Sequence, residues 1–304
     1  MNDEILVYRK TVLIVLNYND CKTTLSFLEK IKNVTSIDKV VVVDNCSTDN
    51  SFKELEKCVS ERIDVIKTES NGGYAKGNNY GIFYAIKEYN PSVIFVSNPD
   101  VEFDDKAVSK MINYLIDKRN IGAVTCRMNC TSGIYMPVAW KLPRYRDCLK
   151  ENLILLKRIL GDKTAYNEKY LNSSQIVKVD VVPGSMFAIR SEVFKEIQGF
   201  DERTFLYGEE NLLAAKLKRN GYQSWLITDE EYIHAHSVSI NKSYRSVYKR
   251  LKMGLDSRVI YCRDVLNVGA IRIGFLYLTF YIGSLNYILL TTIIRIIKHR
   301  WQKL

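Results

Sequence analysis

Along the first 126 residues, short apolar runs alternate with stretches in which apolar residues recur every three or four positions. The runs Thr11–Leu16, Lys39–Val43, Ile63–Lys67, Val93–Ser97 and Gly122–Cys126 predict strands, and the stretches near 20–32, 49–60, 74–89 and 104–118 predict helices. This order predicts βαβ units around a mostly parallel central sheet flanked by helices, an α/β fold. Ser47 or Asp49 is the expected N-cap of the second helix, and Asp104 with Asp105 the start of the fourth. Residues 127–180 are less regular: Tyr135, Trp140, Arg144, Tyr145 and Arg146 precede an amphipathic segment, Leu149–Leu160. That insertion is expected either to wall an acceptor site, with Trp140 facing it, or only to pack on the sheet.

Composition narrows the class. With 304 residues, 47% hydrophobic and 26% charged, the chain is globular and long enough for one catalytic domain and a tail. The expected division is a catalytic domain at 1–240, with a nucleotide-binding half to about 126 and an acceptor half after it, and a helical extension at 241–304. The N-terminal MNDEILVYRK has neither the basic region nor the apolar core of a secretory signal, so a cytoplasmic protein is expected. Seven scattered Cys without a CxxC pair favour neither a disulfide framework nor a zinc site.

The net charge of +10 resides in the tail, where residues 238–304 carry twelve Lys or Arg against two Asp. A neutral body with a basic, apolar tail points to an anionic membrane surface and away from nucleic acid. Within the tail, Ile273–Ile294 runs 22 residues without a formal charge. Arg272, Thr279, Gly283 and Asn286 share one helical stripe, which suits a helix lying in the interface or packed on its own domain. Peripheral attachment to the inner face of the cell membrane is the expectation, with a spanning helix and a homodimer formed through the tail as alternatives.

Five segments and a His pair carry candidate chemistry. Asn17, Tyr18 and Asn19 follow the first strand and offer polar groups and a ring to a flat base, although an Asn-rich turn does the same without a ligand. Asp44 and Asn45 end a run of four Val, placing a carboxylate where a base N–H or a ribose hydroxyl would be read. In NGGYAKGNNYG, Gly73 and Gly77 allow close backbone approach, Lys76 supplies charge and Asn78 a polar group, a fit to a diphosphate. Asn98-Pro99-Asp100 ends another buried strand, and its carboxylate suits a hard cation bridging two phosphates. Further on, Gly184 and Ser185 form a small-residue turn on the acceptor side, and Glu209 with Glu210 opens an amphipathic helix, where acids are ordinary dipole partners. His234 and His236, at strand spacing, point to one face and with Asp100 would complete an octahedral metal site.

Taken in this order, the segments from about Thr11 to Ser239 resemble the family-2 glycosyltransferases of the GT-A fold, most closely the rhamnosyltransferase-like branch that builds bacterial surface polysaccharides. The resemblance implies that Asp44 reads the base and that Gly73, Lys76 and Asn78 lie near the nucleotide of a UDP- or dTDP-linked sugar. It also implies that Asn98-Pro99-Asp100 stands for the family's DxD motif, with Mn²⁺ or Mg²⁺ as cofactor. The family's Glu-Asp pair, whose Asp is the general base of inverting members, corresponds to Glu209-Glu210, so that Glu210 takes the base role with one methylene more.

Such an enzyme would move a sugar to a hydroxyl of a saccharide or lipid-linked saccharide. A non-catalytic scaffold of the same fold inside a membrane assembly is the alternative, and the acids at positions 100 and 210 argue against it. A sugar nucleotidyltransferase would need a Gly-rich, basic loop directly after the first strand, which this chain lacks.

Overall fold

A computed structural model describes residues 10–130, 137–153, 164–235 and 246–301, with 293–301 described by backbone alone. Strands β1 (Thr11–Asn17), β2 (Lys39–Asp44), β3 (Ile63–Lys67) and β4 (Val93–Ser97) stand where the apolar runs predict them. Among them run helices α1 (Cys21–Lys30), α2 (Ser51–Leu55) and α3 (Gly73–Tyr89). The predicted helix at 49–60 is shorter than its pattern, since a 3-10 turn at Glu56–Cys58 ends it. Asn50 is its N-cap residue, and Asp49 accepts from the Ser51 amide at 2.9 Å. Ser47 is spent elsewhere, as described below.

After β4 come β5 (Val101–Glu102), α4 (Asp105–Asp117), β6 (Ile121–Cys130) and α5 (Tyr145–Asn152). Asp104 caps α4 by accepting from the Ala107 amide at 2.9 Å. The chain continues through α6 (Glu168–Leu171), β7 (Ile176–Val179), β8 (Met186–Arg190), α7 (Ser191–Glu196), α8 (Glu209–Arg219) and β9 (Gln223–His234). Helices α9 (Val247–Asp264) and α10 (Ala270–Trp301) form the tail. Tyr135 and the end of the Leu149–Leu160 segment lie outside the described residues.

Among the described residues one nine-stranded sheet runs in the order β3-β2-β1-β4-β8-β6-β9-β5, with β7 also paired to β9. The ladders β3-β2-β1-β4 and β6-β9 are parallel, whereas β8, β5 and β7 pair antiparallel. Period-two alternation sends Leu13, Val15, Val40, Val42 and Phe95 into the core on one face and Val12, Ile14, Val41, Val43, Ile94 and Val96 into the core on the other. Burial on both faces is why these strands read as unbroken apolar runs.

A third core lies outside the sheet. Cys148 of α5, Leu212 of α8, Leu255 and Val259 of α9 and Leu276 and Phe280 of α10 pack together. The stripe expected on α10 is the side that meets the domain: Thr279 receives a hydrogen bond from Asn152 at 3.1 Å, and the Arg272 guanidinium lies 5.9 Å from the Tyr145 ring. A Cβ on Gly283 would come within 1.9 Å of the Asn152 carbonyl oxygen, so glycine is what allows this approach. Asn286, the fourth residue of the stripe, is exposed.

Candidate active site

The parallel strands deliver their polar termini to one edge, the crevice where ligands of open α/β sheets bind. At the ends of β1 and β2 the predicted base-reading residues form a closed network. Asp44 is fully buried; its Oδ1 accepts from Asn17 Nδ2 at 2.9 Å and from the Ser47 hydroxyl at 2.6 Å, and its Oδ2 accepts from the Ser47 amide at 2.9 Å. Asn19, with φ of 52°, receives the Thr48 amide at 2.8 Å and donates its own amide to the Ser47 hydroxyl at 2.9 Å. Asn45 donates to Asn71 Oδ1 and to the Gly73 carbonyl, each at 3.0 Å. Asn17, Asp44 and Asn45 thus shape the loops, while Tyr18 and Asn19 are half-buried at the edge.

The glycines of the next segment do two jobs. Gly73 has φ of 81°, and a Cβ there would lie 2.0 Å from the Phe205 carbonyl oxygen, which accepts the Tyr74 amide at 2.8 Å. Gly77 seats α3 on the sheet, since a Cβ would reach Leu16 Cδ1 at 2.5 Å and Asn45 at 3.2 Å. The Cβ side of Gly77 therefore faces the core. Asn78 is buried as well and donates to the Tyr74 carbonyl at 2.9 Å, whereas Lys76 is exposed.

Beyond β4 the chain brings distant segments together. The Asn98 amide donates to the Ser185 carbonyl at 2.8 Å, and the Ser185 hydroxyl lies 2.7 Å from that of the buried Tyr232. Val101 of β5 pairs with His234 of β9, and the Asp100 backbone carbonyl accepts the Ala235 amide at 2.9 Å. His234 Nε2 then stands 3.2 Å from Asp100 Oδ1, both side chains less than one-tenth exposed. His236 lies outside the described residues. No cluster of three His, Cys, Asp or Glu side chains appears among the described residues, so the pair supplies two of the ligands a cation would need. An oxygen and an imidazole nitrogen in one place fit Mn²⁺, and the oxygen alone fits Mg²⁺.

A cavity of about 410 Å³ opens beside this pair. Asn98, His234, Gly184, Ser185, Trp140, Glu209 and Glu210 all line it. Trp140 is fixed by an indole N–H bond to Asn211 at 2.8 Å, one residue beyond Glu210. Gly208, with φ of 85°, turns the chain into α8 and sets both glutamates in its first turn. Glu209 is buried, and its Oε2 has no hydrogen-bond partner among the described residues. Burial, reinforced by the Glu210 charge, pushes the Glu209 carboxyl well above its ordinary range. Glu210 is partly exposed to the cavity and is also raised by burial, which outweighs the opposing backbone N–H groups of Glu210, Gly184 and Gly208. A Cβ at Gly184 would lie 3.2 Å from Glu210 Oε1, so the glycine gives that carboxylate its room.

The sequence gives no separate signal for three further wall residues. Tyr74 donates its hydroxyl to the Gly184 carbonyl at 2.5 Å, and burial followed by the charges of Glu209 and Glu210 keeps that phenol protonated. Arg258 and Tyr261 of α9 line the cavity too, so the site draws on residues from both sides of position 240. The sequence marks their helix only as part of a basic, apolar helical tail, and nothing in that says what its inner face meets.

A parallel sheet with polar strand ends, a carboxylate–imidazole pair and two acids at a late helix start define a protein of the GT-A glycosyltransferase fold. Solved structures of that fold share it: the mannosyltransferase PcManGT from Pyrobaculum calidifontis in complex with GDP-Man and Mn²⁺ aligns over 90% of this chain and 70% of its own, with a TM-score of 0.57 at 16% identity. GalNAc-T7 with UDP, GalNAc and Mn²⁺ aligns over 75% of this chain and 44% of its own, with a TM-score of 0.58 at 14% identity.

Residues 12–198 match the family described as glycosyl transferase family 2, and the chain belongs to that family. It is 28% identical over 208 residues to the low-salt glycan biosynthesis hexosyltransferase Agl10 of Haloferax volcanii, covering 68% of this chain and 61% of that protein. It is 26% identical over 217 residues to the N-acetylglucosaminyl-diphospho-decaprenol L-rhamnosyltransferase of Mycobacterium tuberculosis, covering 66% of this chain and 67% of that protein. The chain thus spans about three fifths of the length of the hexosyltransferase it matches.

Proposed function

We propose that the protein is an inverting, metal-dependent hexosyl- or rhamnosyltransferase that moves a sugar from a UDP- or dTDP-linked donor to a hydroxyl of a lipid-linked saccharide in cell-surface polysaccharide synthesis. The observation that carries this reading is one cavity lined by Glu210 and Asn98, with Asp100 and His234 paired at its edge. Glu210 takes the acceptor proton as general base; its raised pKa brings proton affinity closer to neutral pH, where a base is most effective. Burial disfavours charge on that carboxylate, so transfer of a proton to it is favoured. Asp100 and His234 would hold the divalent cation, which when bound supplies positive charge to the leaving diphosphate. The half-buried Tyr18 and Asn19 and the exposed Lys76 are the accessible groups of the nucleotide-binding edge, kept in register by the buried Asn17, Asp44, Asn45 and Asn78 behind them, with Gly73 giving the chain its turn into α3. The M. tuberculosis relative, whose acceptor is named as a decaprenol-linked sugar, supports a lipid-linked acceptor here.

The tail supports work at the inner face of the cell membrane. Ala270–Thr292 of α10 is long and apolar enough to cross a bilayer by length and composition, with a mean hydropathy of 1.6. One side of it packs on the domain, which favours peripheral attachment over spanning. The test is a screen of UDP-, dTDP- and GDP-sugars for hydrolysis and for transfer to a prenyl-diphosphate saccharide, with the product's anomeric configuration read by NMR. Retained configuration, or no turnover of any donor, sinks the reading.

A further inference from the structure

One face of α9 closes the cavity: Gly254, Ser257, Arg258 and Tyr261 fall at helical spacing and all line it. The face is set against the base, because a Cβ at Gly208, the residue before Glu209, would meet Ser257 Cβ at 3.1 Å. Arg258 is the cation of this wall. Its guanidinium folds over Gly254, where a Cβ would meet Nη1 at 3.4 Å and Nη2 at 3.7 Å. Its Nε is buried and has no hydrogen-bond partner among the described residues. Burial works against the cation, and the Glu151 carboxylate is the first charge that supports it.

A guanidinium with a buried, unspent donor is costly unless a ligand meets it. Its planar fork matches phosphate oxygens two at a time, and Arg is the residue suited to that geometry. The cavity then has two walls fit for phosphate: the strand-end wall, with Asp100 and His234 at its edge, and the α9 wall with Arg258. Between an activated hydroxyl and its lipid, a lipid-linked acceptor carries an anionic phosphate or diphosphate. We propose that Arg258 binds that acceptor phosphate, seated over Gly254 and sharing its charge with Glu151. The inference rests on the lipid-linked reading of the acceptor and deepens it by naming the residue that recognises the linker.

The test uses the full chain and two probes, farnesyl diphosphate for the linker and UDP with Mn²⁺ for the donor, each titrated calorimetrically. Arg258→Met should weaken farnesyl diphosphate binding about tenfold or more, as loss of a charge-assisted fork implies, with UDP affinity kept within about twofold as evidence of folding. Should Arg258→Met fail to fold, Arg258→Lys decides alone: a point charge without the fork weakens farnesyl diphosphate and not UDP. Equal loss of both probes assigns Arg258 to the donor and overturns the proposal, as does unchanged binding of both. If the unaltered protein binds UDP and ignores farnesyl diphosphate, the lipid-linked reading falls and takes this inference with it. If it binds both and the Arg258 variants behave like it, only the inference falls.

Discussion

His234 Nε2 and Asp100 Oδ1 stand 3.2 Å apart because the short β5 ladder pairs Val101 with His234. The register of that ladder therefore decides whether a carboxylate and an imidazole meet. Both side chains are less than one-tenth exposed, so thermal unfolding of each variant is read beside its ligand binding.

Asp100→Ala and His234→Ala should each weaken Mn²⁺ binding by at least about tenfold, the scale found even when supporting residues of a metal site are lost. Mn²⁺ titration followed by electron paramagnetic resonance gives the affinity directly. Full donor turnover in EDTA, or unchanged Mn²⁺ affinity in both variants, removes the metal from the proposal.

The two glutamates at the start of α8 are separable. Glu210→Gln keeps shape but not proton affinity, and should lower kcat by about 10²-fold or more with donor affinity unchanged. Gly184→Ala, which crowds Glu210 Oε1 at 3.2 Å, should lower kcat in the same direction. A kinetic loss confined to Glu209→Gln exchanges the roles.

Glu209 also makes a pH prediction for stability. Its carboxyl is raised in the folded protein, so the stability it contributes is complete below the ordinary glutamate range and is lost as pH rises through the raised folded value. At neutral pH this buried, partly unsatisfied carboxyl group is thus a cost, and Glu209→Gln should stabilise the fold by about 1 kcal/mol. Thermal unfolding at pH 5 and pH 8 checks it: the gain should be larger at pH 8, and a gain that shrinks with rising pH contradicts the argument.

Asp44 separates what the sequence shows from what it hides. Four Val before it identify a buried strand and its end, and the run Val40–Val43 occupies both cores as expected. The strands before Asn98 and the helix start at Glu209 were legible for the same reason, since periodicity and capping chemistry are local. What the Asp44 side chain faces was not: its partners Asn17 and Ser47 come together only when β1 and β2 pair in register, Asn17 opposite Asp44. The α9 wall is the larger case, because a basic, apolar tail composition does not say that one helix face closes a cavity.

Since both Asp44 oxygens are engaged by buried donors, Asp44→Ala would leave the Ser47 amide and the Ser47 hydroxyl without their acceptor and Asn17 Nδ2 with only the Ser47 oxygen, at 3.3 Å. The expected cost is about 2–6 kcal/mol of stability, about one to three for each of the two stranded donors, together with weaker UDP binding. Asp44→Asn should retain more of the fold than Asp44→Ala. Denaturant unfolding gives the first quantity and UDP titration the second; weaker UDP binding without any loss of stability would mean that the side chain contacts the base and does not organise the loop.

On α10 the outward side chains Ile271, Phe275, Leu278, Ile282, Leu285 and Leu289 recur at alternating spacings of four and three, a single apolar stripe. They are well exposed, Phe275 at 54% and Leu285 at 59%, while Leu276, Phe280 and Gly283 on the other side are buried against the domain. A helix held along one side by protein is not surrounded by lipid, but its free stripe suits the interface, and the basic residues after position 294 suit anionic headgroups. Deleting α10 would uncover Leu255 and Val259 of α9 and confuse unfolding with release. Phe275→Ser with Leu285→Ser is the cleaner test, since exposed side chains contribute little to the fold. Each removed side chain takes away about 1.5–3 kcal/mol of apolar burial in the interface, so the pair should lower affinity for phosphatidylglycerol vesicles by about 100-fold or more with the melting temperature unchanged. Raised salt should weaken the unaltered protein's binding as well. If co-sedimentation is the same for both proteins and the substitutions instead dissolve a dimer seen by light scattering, the stripe is an interface between two copies and the membrane reading is wrong.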